Sequence, residues 1–346
     1  MGFRQLHQRR ARQQAVIALS VVASASMPSV AAASQRFVTS NKCAAFELPP
    51  TKYLPPRSDD GSTIAYIHHE PPSSQAGNSP SPLGLVFFPG FLSNMHSSKA
   101  CRVFRYAETN NLECTLFDRY GHGASRPHYT SDGYDGRQAT MGRWLEDCLA
   151  ILDDVTTASN KQILIGSSMG TWLAILAAVQ RPERVAGILG IASAPDYTAL
   201  LREQIEANSE WSEQLDNLGY VDVPTVYDRR GYFRLHEELI VEGDKHLILQ
   251  EGNRDNDLHS RLPRNMPIRL LHGTADDDIP AKYSQRLIKK LEARSLDNVK
   301  LDLIEGGDHR LSSQDHLETI ENVLRGIVGE AGGDGWQISA QESNAG

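Results

Sequence analysis

The sequence predicts an α/β fold: a mostly parallel central sheet with helices on both faces and a cap insertion. Two observations lead to this fold class. Continuous apolar runs recur along the chain, and the stretches between them are long enough for crossover helices. A length of 346 residues with 40% hydrophobic and 23% charged side chains suits one α/β domain of roughly 280 residues with short tails. Such a sheet places its chemistry at the carboxyl ends of its strands.

The predicted strands follow one another in a regular order. An early strand is predicted at 63–67, and a loop rich in Pro and Ser follows it at 71–82. Further strands are predicted at 84–88, 112–117, 162–167, 185–192, 268–271 and 299–304. The segment 195–267 is far longer than the dozen or so residues that a plain crossover needs. We interpret it as a cap over the site; an extra pair of helices that only stabilises the fold is the alternative.

The most informative motif lies in the middle of the chain. A strand-like run ends in the G-x-S-x-G turn at 166–170, and an apolar helix is predicted from Met169 to Gln180. A serine at a strained strand-to-helix turn is open to a base on one side and to backbone N–H donors on the other. Ser168 is therefore the predicted nucleophile.

A nucleophilic serine needs a base, and the base needs an acid that fixes its tautomer. In this architecture the acid, and after it the histidine, follow the serine along the chain. The strand at 268–271 leads into three aspartates, of which Asp276 is the predicted acid and Asp278 the alternative. His309 follows the next strand on a Gly-rich loop, whereas His316 falls in a helical stretch. We predict that His309 is the base.

The loop after the strand at 84–88 is the predicted second half of an oxyanion hole. Gly90 lets the backbone turn, so that the N–H of Phe91 can join the N–H of Met169 beside the reacting carbonyl. A plain Pro-Gly turn is the alternative interpretation. Neither a cofactor nor a metal is predicted, because a serine triad needs none and the four cysteines lack metal-ligand spacing.

The N-terminal segment 1–46 differs in composition from the rest of the chain. It holds six basic residues and no acidic residue, whereas all 43 acidic residues follow it. Arg-rich, Ser-rich and acid-free segments are typical of mitochondrial transit peptides, so we predict a mitochondrial targeting segment. A secretory signal with its apolar region at 15–25 is the alternative, which would direct the protein to the endoplasmic reticulum and secretion.

The rest of the chain is acidic and lacks the basic surface that nucleic-acid binding needs. We therefore predict no nucleic-acid partner. The apolar region at 15–25 is too short to cross a bilayer, and no transmembrane span is predicted. The Gly-rich acidic tail at 330–346 is predicted to be disordered.

Several runs carry a resemblance to a known family. They lie at 89–91, 93–95, 99–100, 118–125, 166–170, 194–198 and 308–312. With these runs the chain resembles the α/β-hydrolase superfamily over 60–328, and within it the branch of abhydrolase domain-containing protein 10 and its bacterial relatives. The D-x-x-G-H-G motif that begins at Asp118 is shared across the superfamily and says little about substrate. Two residues depart from the branch: Thr171 replaces a second glycine after the turn, and Asn94 replaces an aspartate.

The resemblance implies a serine hydrolase that cleaves acyl esters and thioesters through an acyl-enzyme. Its implied substrates include S-palmitoyl groups on proteins and acyl glucuronides, so S-acylated proteins are the expected partners. The spacing of the residues alone supports only acyl transfer to water. A general carboxylesterase and a carbon–carbon or peptide-bond hydrolase are alternatives on the same triad. A binding module that has kept the fold without catalysis is the alternative from a different class.

Overall fold

The structure is a computed structural model that describes residues 47–55, 62–71, 82–125, 136–225, 227–228, 230–250, 261–293 and 295–332. The targeting segment predicted at 1–46 lies outside these ranges. Among the described residues, every helix is too short or too polar to cross a membrane.

The strands of the described part belong to a central sheet and to a small separate one. They are β1 (Lys52–Tyr53), β2 (Ala65–His69), β3 (Leu83–Phe88), β4 (Glu113–Phe117), β5 (Lys161–Ser167), β6 (Val185–Ile191), β7 (Tyr220–Pro224), β8 (Tyr232–His236), β9 (Ile268–Gly273) and β10 (Val299–Ile304). The α-helices with described ends are α1 (Ser98–Thr109), α2 (Met141–Asp154), α3 (Met169–Gln180), α4 (Tyr197–Ala207), α5 (Ser209–Leu218), α6 (Glu237–Gly243), α7 (Lys282–Glu292) and α8 (Gln314–Gly332).

The central sheet is mostly parallel, which confirms the predicted fold class. Its strand order is β1-β2-β4-β3-β5-β6-β9-β10. The strands from β4 to β10 in this order pair in parallel, whereas β2 runs antiparallel to β4 and β1 antiparallel to β2. The early strand predicted at 63–67 lies two residues later, because its pairing with β4 extends from Tyr66 to His69.

Helices cover both faces of the sheet, and β5 lies between two apolar layers. Successive side chains of a strand point to opposite faces. Accordingly Leu164 packs into the layer that contains α2 and α3, whereas Ile163 and Ile165 pack into the layer that contains α1 and α8. All three side chains are fully buried. The carboxyl end of β5, where the predicted nucleophile lies, is therefore held from both sides.

The described part of the segment between β6 and β9 folds into α4 and α5, the antiparallel strands β7 and β8, and α6. We call residues 197–249 the insertion. It contains the helical pair considered from the sequence and also a two-stranded sheet that the sequence analysis did not predict. Asp196 ties its two ends together, because its carboxylate accepts hydrogen bonds from the backbone N–H groups of Ile248 (2.7 Å) and Leu249 (2.9 Å).

The disordered tail is predicted to start at residue 330, but helix α8 continues to Gly332. Residues 330–332 form the last turn of α8, and 333–346 lie outside the described residues. The physical reason is an ion pair: the Glu330 carboxylate lies 2.6 Å from the Arg269 guanidinium, whose side chain is 7% exposed on β9. A charged partner inside the sheet therefore holds the end of the helix.

Candidate active site

Ser168 lies at the turn between β5 and α3 in a strained conformation. Its φ is 54° and its ψ is −122°, a combination that a side-chain-bearing residue keeps only where its surroundings hold it. The two flanking glycines make the turn possible: a Cβ on Gly166 would lie 2.4 Å from Thr171 Cα, and one on Gly170 would lie 2.1 Å from the Phe88 oxygen. The Ser168 N–H donates to the Ile191 oxygen at 2.7 Å. The turn is thus fixed by its neighbours, with the serine half-buried.

The structure brings Ser168, His309 and Asp276 into one hydrogen-bonded chain. His309 Nδ1 lies 2.8 Å from Asp276 Oδ2, and His309 Nε2 lies 3.1 Å from Ser168 Oγ. The carboxylate accepts only, so we assign the ring proton to Nδ1 and the acceptor role to Nε2. The serine hydroxyl then donates a hydrogen bond to Nε2, which is the arrangement that lets a nucleophilic serine pass its proton to the base as it attacks.

The geometry distinguishes the two candidate acids. Asp278 accepts a hydrogen bond from the Tyr227 hydroxyl at 2.5 Å, whereas Asp276 contacts His309. The side chain of Asp276 is fully buried, and its Oδ1 accepts from the backbone N–H groups of Asp278 (3.1 Å) and Ile279 (2.8 Å). Because these N–H groups occupy Oδ1, the carboxylate presents Oδ2 to the imidazole in a fixed orientation.

A second histidine, which the sequence analysis did not assign, holds the same carboxylate. His272 Nε2 lies 3.0 Å from Asp276 Oδ2 and 2.8 Å from the Ile279 oxygen. Both partners are acceptors, so Nε2 carries a proton, and Nδ1 pairs with the Ser284 hydroxyl at 2.7 Å. The signal in the sequence was a histidine at the end of a buried apolar strand, where a polar side chain needs partners.

The environment of Asp276 keeps it ionised. Burial raises the pKa of Asp276, but hydrogen bonds from His272 and His309 and the charge of His309 outweigh burial, so that the net pKa lies well below its usual range. An ionised Asp276 can therefore stabilise an imidazolium at His309 over the whole physiological pH range.

The predicted oxyanion loop packs directly on the serine turn. A Cβ on Gly90 would lie 3.3 Å from Ser168 Cβ and 3.1 Å from the Ser167 oxygen, so only glycine fits this approach easily. Met169 is the first residue of α3, and the N–H of such a residue has no intrahelical partner. Phe91 follows Gly90 in the loop. The structure thus places Met169 directly after Ser168 and brings Gly90, the neighbour of Phe91, against the serine. The role of the two N–H groups toward an oxyanion stays a prediction.

The Phe91 side chain connects this loop to the insertion. Its ring centroid lies 5.1 Å from that of Phe233 on β8 and 5.7 Å from that of Tyr197 on α4. On the other side it lies 6.0 Å from Trp144 and 6.1 Å from His122. Ring pairs at these separations attract each other beyond simple apolar contact. The insertion therefore reaches the proposed reaction centre through aromatic side chains.

The two departures from the family pattern are accommodated locally. Thr171 is fully buried, and its hydroxyl donates to the Gly166 oxygen at 2.9 Å. Asn94 is exposed and accepts a hydrogen bond from the His96 N–H at 2.9 Å. Each side chain therefore stabilises its own turn.

Comparisons with known proteins agree with this geometry. The family model described as Serine aminopeptidase, S33 matches residues 83–218. The mitochondrial palmitoyl-protein thioesterase ABHD10 of Mus musculus is 35% identical over 255 residues, which are 71% of this chain and 75% of that protein. Its counterpart in Homo sapiens is 32% identical over 252 residues, which are 73% of this chain and 74% of that protein.

A solved structure shows the same likeness in three dimensions. Alpha/beta hydrolase domain-containing protein 10 from mouse matches with a TM-score of 0.61 and 31% identity, and the match covers 81% of this chain and 98% of that one. Identity above 30% over more than two thirds of each protein accompanies the serine turn and the strand order described above. The chain therefore belongs to the α/β-hydrolase family, as a serine hydrolase related to ABHD10.

Proposed function

We propose that this protein hydrolyses acyl thioesters and esters, with S-palmitoylated proteins as its principal substrates. The observation that carries the proposal is the hydrogen-bonded chain from Ser168 through His309 to Asp276, at 3.1 and 2.8 Å. The substrate class is supported by the likeness to proteins named palmitoyl-protein thioesterase. S-acylated proteins are accordingly the proposed partners.

The proposed reaction has two steps that use the same groups. In the first, Ser168 Oγ attacks the acyl carbonyl while its proton moves to His309 Nε2, and Asp276 stabilises the imidazolium. The N–H groups of Phe91 and Met169 hydrogen-bond the tetrahedral oxyanion. The carbonyl–sulfur bond then breaks, and His309 returns the proton to the departing thiolate. In the second step a water molecule gives a proton to His309 as its oxygen attacks the acyl carbon. The bond from the acyl carbon to Ser168 Oγ then breaks, and His309 returns the proton to Oγ, which releases the fatty acid and restores Ser168.

The acyl chain is proposed to lie between the serine turn and the insertion, which would then act as a cap. The aromatic contacts of Phe91 with Tyr197 and Phe233 support this arrangement, because they place apolar side chains of the insertion next to the oxyanion loop. Apolar surface at this point favours long acyl groups over acetyl.

Other leaving groups define the second candidate functions. The triad suits oxygen esters, including acyl glucuronides, as well as thioesters. Peptide-bond hydrolysis is supported by the description of the matched family model, Serine aminopeptidase. The leaving group is chosen by the surroundings of the triad, so substrate competition is the direct test.

The test uses a fluorophosphonate probe followed by a substrate panel. Wild-type protein should be labelled and Ser168→Ala should not, because the probe reacts with an activated serine. The purified enzyme is then given S-palmitoyl peptides, p-nitrophenyl esters, an acyl glucuronide and aminoacyl amides. The highest kcat/KM is expected for the S-palmitoyl peptide. Absence of labelling would contradict serine hydrolase activity. A higher kcat/KM for the amides than for the thioesters would indicate peptide hydrolysis instead.

We also propose a mitochondrial location. The relatives are named as mitochondrial proteins, and 1–46 is basic and free of acidic residues. A fusion of 1–46 to a fluorescent reporter should enter mitochondria. Reporter in the endoplasmic reticulum or the medium would support the secretory alternative instead.

A further inference from the structure

The D-x-x-G-H-G motif that begins at Asp118 is not used by the proposed reaction, yet its first two residues hold the oxyanion loop. Both follow the end of β4 and are buried, Asp118 with 1% and Arg119 with 0% exposure. Arg119 Nη2 donates to the Gly90 oxygen at 2.9 Å. Asp118 Oδ1 accepts from the Met95 N–H at 2.7 Å. The loop is thus attached to the sheet at two points.

We propose that Arg119 is a positioning residue for the oxyanion hole, which orients and polarises the Gly90–Phe91 peptide. This inference rests on the proposed function, in which the Phe91 N–H contacts the oxyanion. Described peptide bonds are all trans, so the N–H of Phe91 points away from the Gly90 oxygen. A guanidinium that holds that oxygen therefore fixes the direction of the N–H.

The loop needs such a restraint because its own conformation is unfavourable. Leu92 has a φ of 56°, in the left-handed region that side-chain-bearing residues rarely adopt. A turn bond from the Ser93 N–H to the Gly90 oxygen at 3.1 Å is a neutral contact. The bond from Arg119 is charge-assisted, and such bonds are roughly twice as strong as neutral ones.

The positive charge also strengthens the donor. A peptide whose oxygen accepts from a cation becomes polarised, and its N–H then donates more strongly to the next acceptor. Arg119 stays charged at every physiological pH. Its guanidinium carbon lies 5.3 Å from the centre of the Trp144 ring. Burial raises the pKa of Asp118 above its usual range and that of Asp147 to about 7, and the charge of Arg119 offsets part of each rise. The Trp144 face therefore stabilises the charge in place, and the guanidinium in turn favours the ionised form of the two carboxyl groups.

The proposal is tested by comparing an oxygen ester with its thiono analogue, in which sulfur replaces the carbonyl oxygen. Sulfur accepts hydrogen bonds weakly, so the rate ratio of ester to thiono ester reports the strength of the oxyanion hole. Arg119→Met should lower kcat for the oxygen ester with little change in KM, and should lower the ratio by about tenfold. Arg119→Lys should restore part of the ratio, because it keeps the charge without the planar guanidinium.

Arg143 offers a matched control. Its guanidinium carbon lies 4.7 Å from the centre of the Tyr120 ring, and it donates to the Ser62 hydroxyl. Like Arg119 it is an arginine beside an aromatic ring, but its side chain is 21% exposed and its described contacts lie outside the oxyanion loop. Arg143→Met should keep the wild-type ratio, even if it lowers stability. If Arg119→Met does not fold, the comparison of Arg119→Lys with Arg143→Lys decides: only the first should lower the ratio.

The outcomes separate this inference from the proposed function. A folded Arg119→Met enzyme with reduced kcat and the wild-type ratio would show a purely structural role and overturn the inference. If wild-type protein lacks fluorophosphonate labelling and ester turnover, the proposed function fails and the inference fails with it. An active wild-type enzyme with a ratio reduced by Arg119 substitutions and retained in Arg143→Met supports both.

Discussion

The carboxyl edge of the central sheet and the insertion beside it are stabilised by different interactions. At the carboxyl edge, backbone hydrogen bonds such as that from the Ser168 N–H to the Ile191 oxygen (2.7 Å) join the ends of strands that are almost entirely buried. In the insertion, half-exposed ion pairs are prominent, such as Arg234 with Asp222 on β7 and β8 at 2.9 Å. Partly exposed ion pairs contribute little stability. We infer that the carboxyl ends of the strands hold the catalytic side chains in place, whereas the insertion can change its shape to fit the substrate.

The largest expected effect is at Ser168, the proposed nucleophile, at the carboxyl end of the central strand β5. Ser168→Ala should lower ester hydrolysis by roughly 10⁴ to 10⁶ because the nucleophile is removed. Far-UV circular dichroism should be unchanged, since the turn is held by its glycines and backbone bonds. Ser167→Ala is the matched control on the preceding residue and should stay active. Loss of activity in the Ser167 variant alone would move the nucleophile by one position.

The acid gives the next largest effect. Asp276→Asn should lower kcat by about 10³ to 10⁴, because an amide cannot stabilise the imidazolium and favours the wrong tautomer. Asp278→Asn should cost much less, since Asp278 contacts Tyr227 of the insertion rather than His309. A steady-state assay of both variants decides, and reversed effects would assign the acid to Asp278.

A smaller effect is expected at the second histidine. His272→Leu removes a hydrogen bond to Asp276 at 3.0 Å, so the carboxylate loses part of its orientation, and kcat should fall about tenfold. Ser284→Ala is the control, because it leaves the Nε2 contact with Asp276 in place and changes only the Nδ1 side. Equal losses in the two variants would indicate that His272 acts only through packing.

The carboxyl ends of the strands are predicted well from the sequence, because continuous apolar runs mark where each strand ends. The strand predicted at 162–167 is observed at Lys161–Ser167, and the predicted helix from Met169 to Gln180 has those bounds. The side chains of Ser168, Asp276 and His309 follow strand ends, which the apolar runs locate. By contrast, the pairings of His272 with Ser284 and of Arg119 with Gly90 join residues that no local period relates. They depend on tertiary geometry.

The insertion is predicted less well for a related reason. Its strands β7 and β8 are five residues each and form an isolated pair. Buried positions alternate along β7, and along β8 up to its last residue, because only one face packs against the core. Runs as short as these are nevertheless ambiguous in the sequence. The early strand shows the same limit, since its bounds are set by its pairing with β4 and not by its own residues.

The insertion can be tested through the dependence of rate on acyl length. Each buried CH₂ contributes about 0.8 kcal/mol, which is nearly a factor of four in binding per carbon until the site is full. For thioesters of rising length, kcat/KM should climb and then level. Phe233→Ala should flatten this slope, because its ring contacts Phe91, whereas Leu218→Ala, at a side chain 50% exposed on the insertion, should leave it unchanged. A flat profile in the wild-type enzyme would mean that the insertion recognises the leaving group and not the acyl chain.

The smallest expected effect concerns the attachment of the insertion to the core. Glu242 on α6 accepts from the backbone N–H of Gly142 on α2 at 2.9 Å and pairs with His246 at 2.7 Å. Burial raises the pKa of Glu242, but the bonds from His246 and Gly142 outweigh it and hold the pKa below the usual value of 4.5. A lowered pKa means that the stabilisation is complete above about pH 4.5 and is lost as pH falls further.

Glu242→Gln should therefore lower the free energy of unfolding by about 1 kcal/mol at pH 7, and this difference from wild type should shrink below pH 4.5. Urea unfolding at several pH values measures it. Glu238→Gln, at an exposed position of the same helix, is the control and should change little. Because Glu242 lies away from the triad, fluorophosphonate labelling of Ser168 should persist in the variant. A difference that stays constant with pH would mean that the glutamate acts by packing and not by its charge.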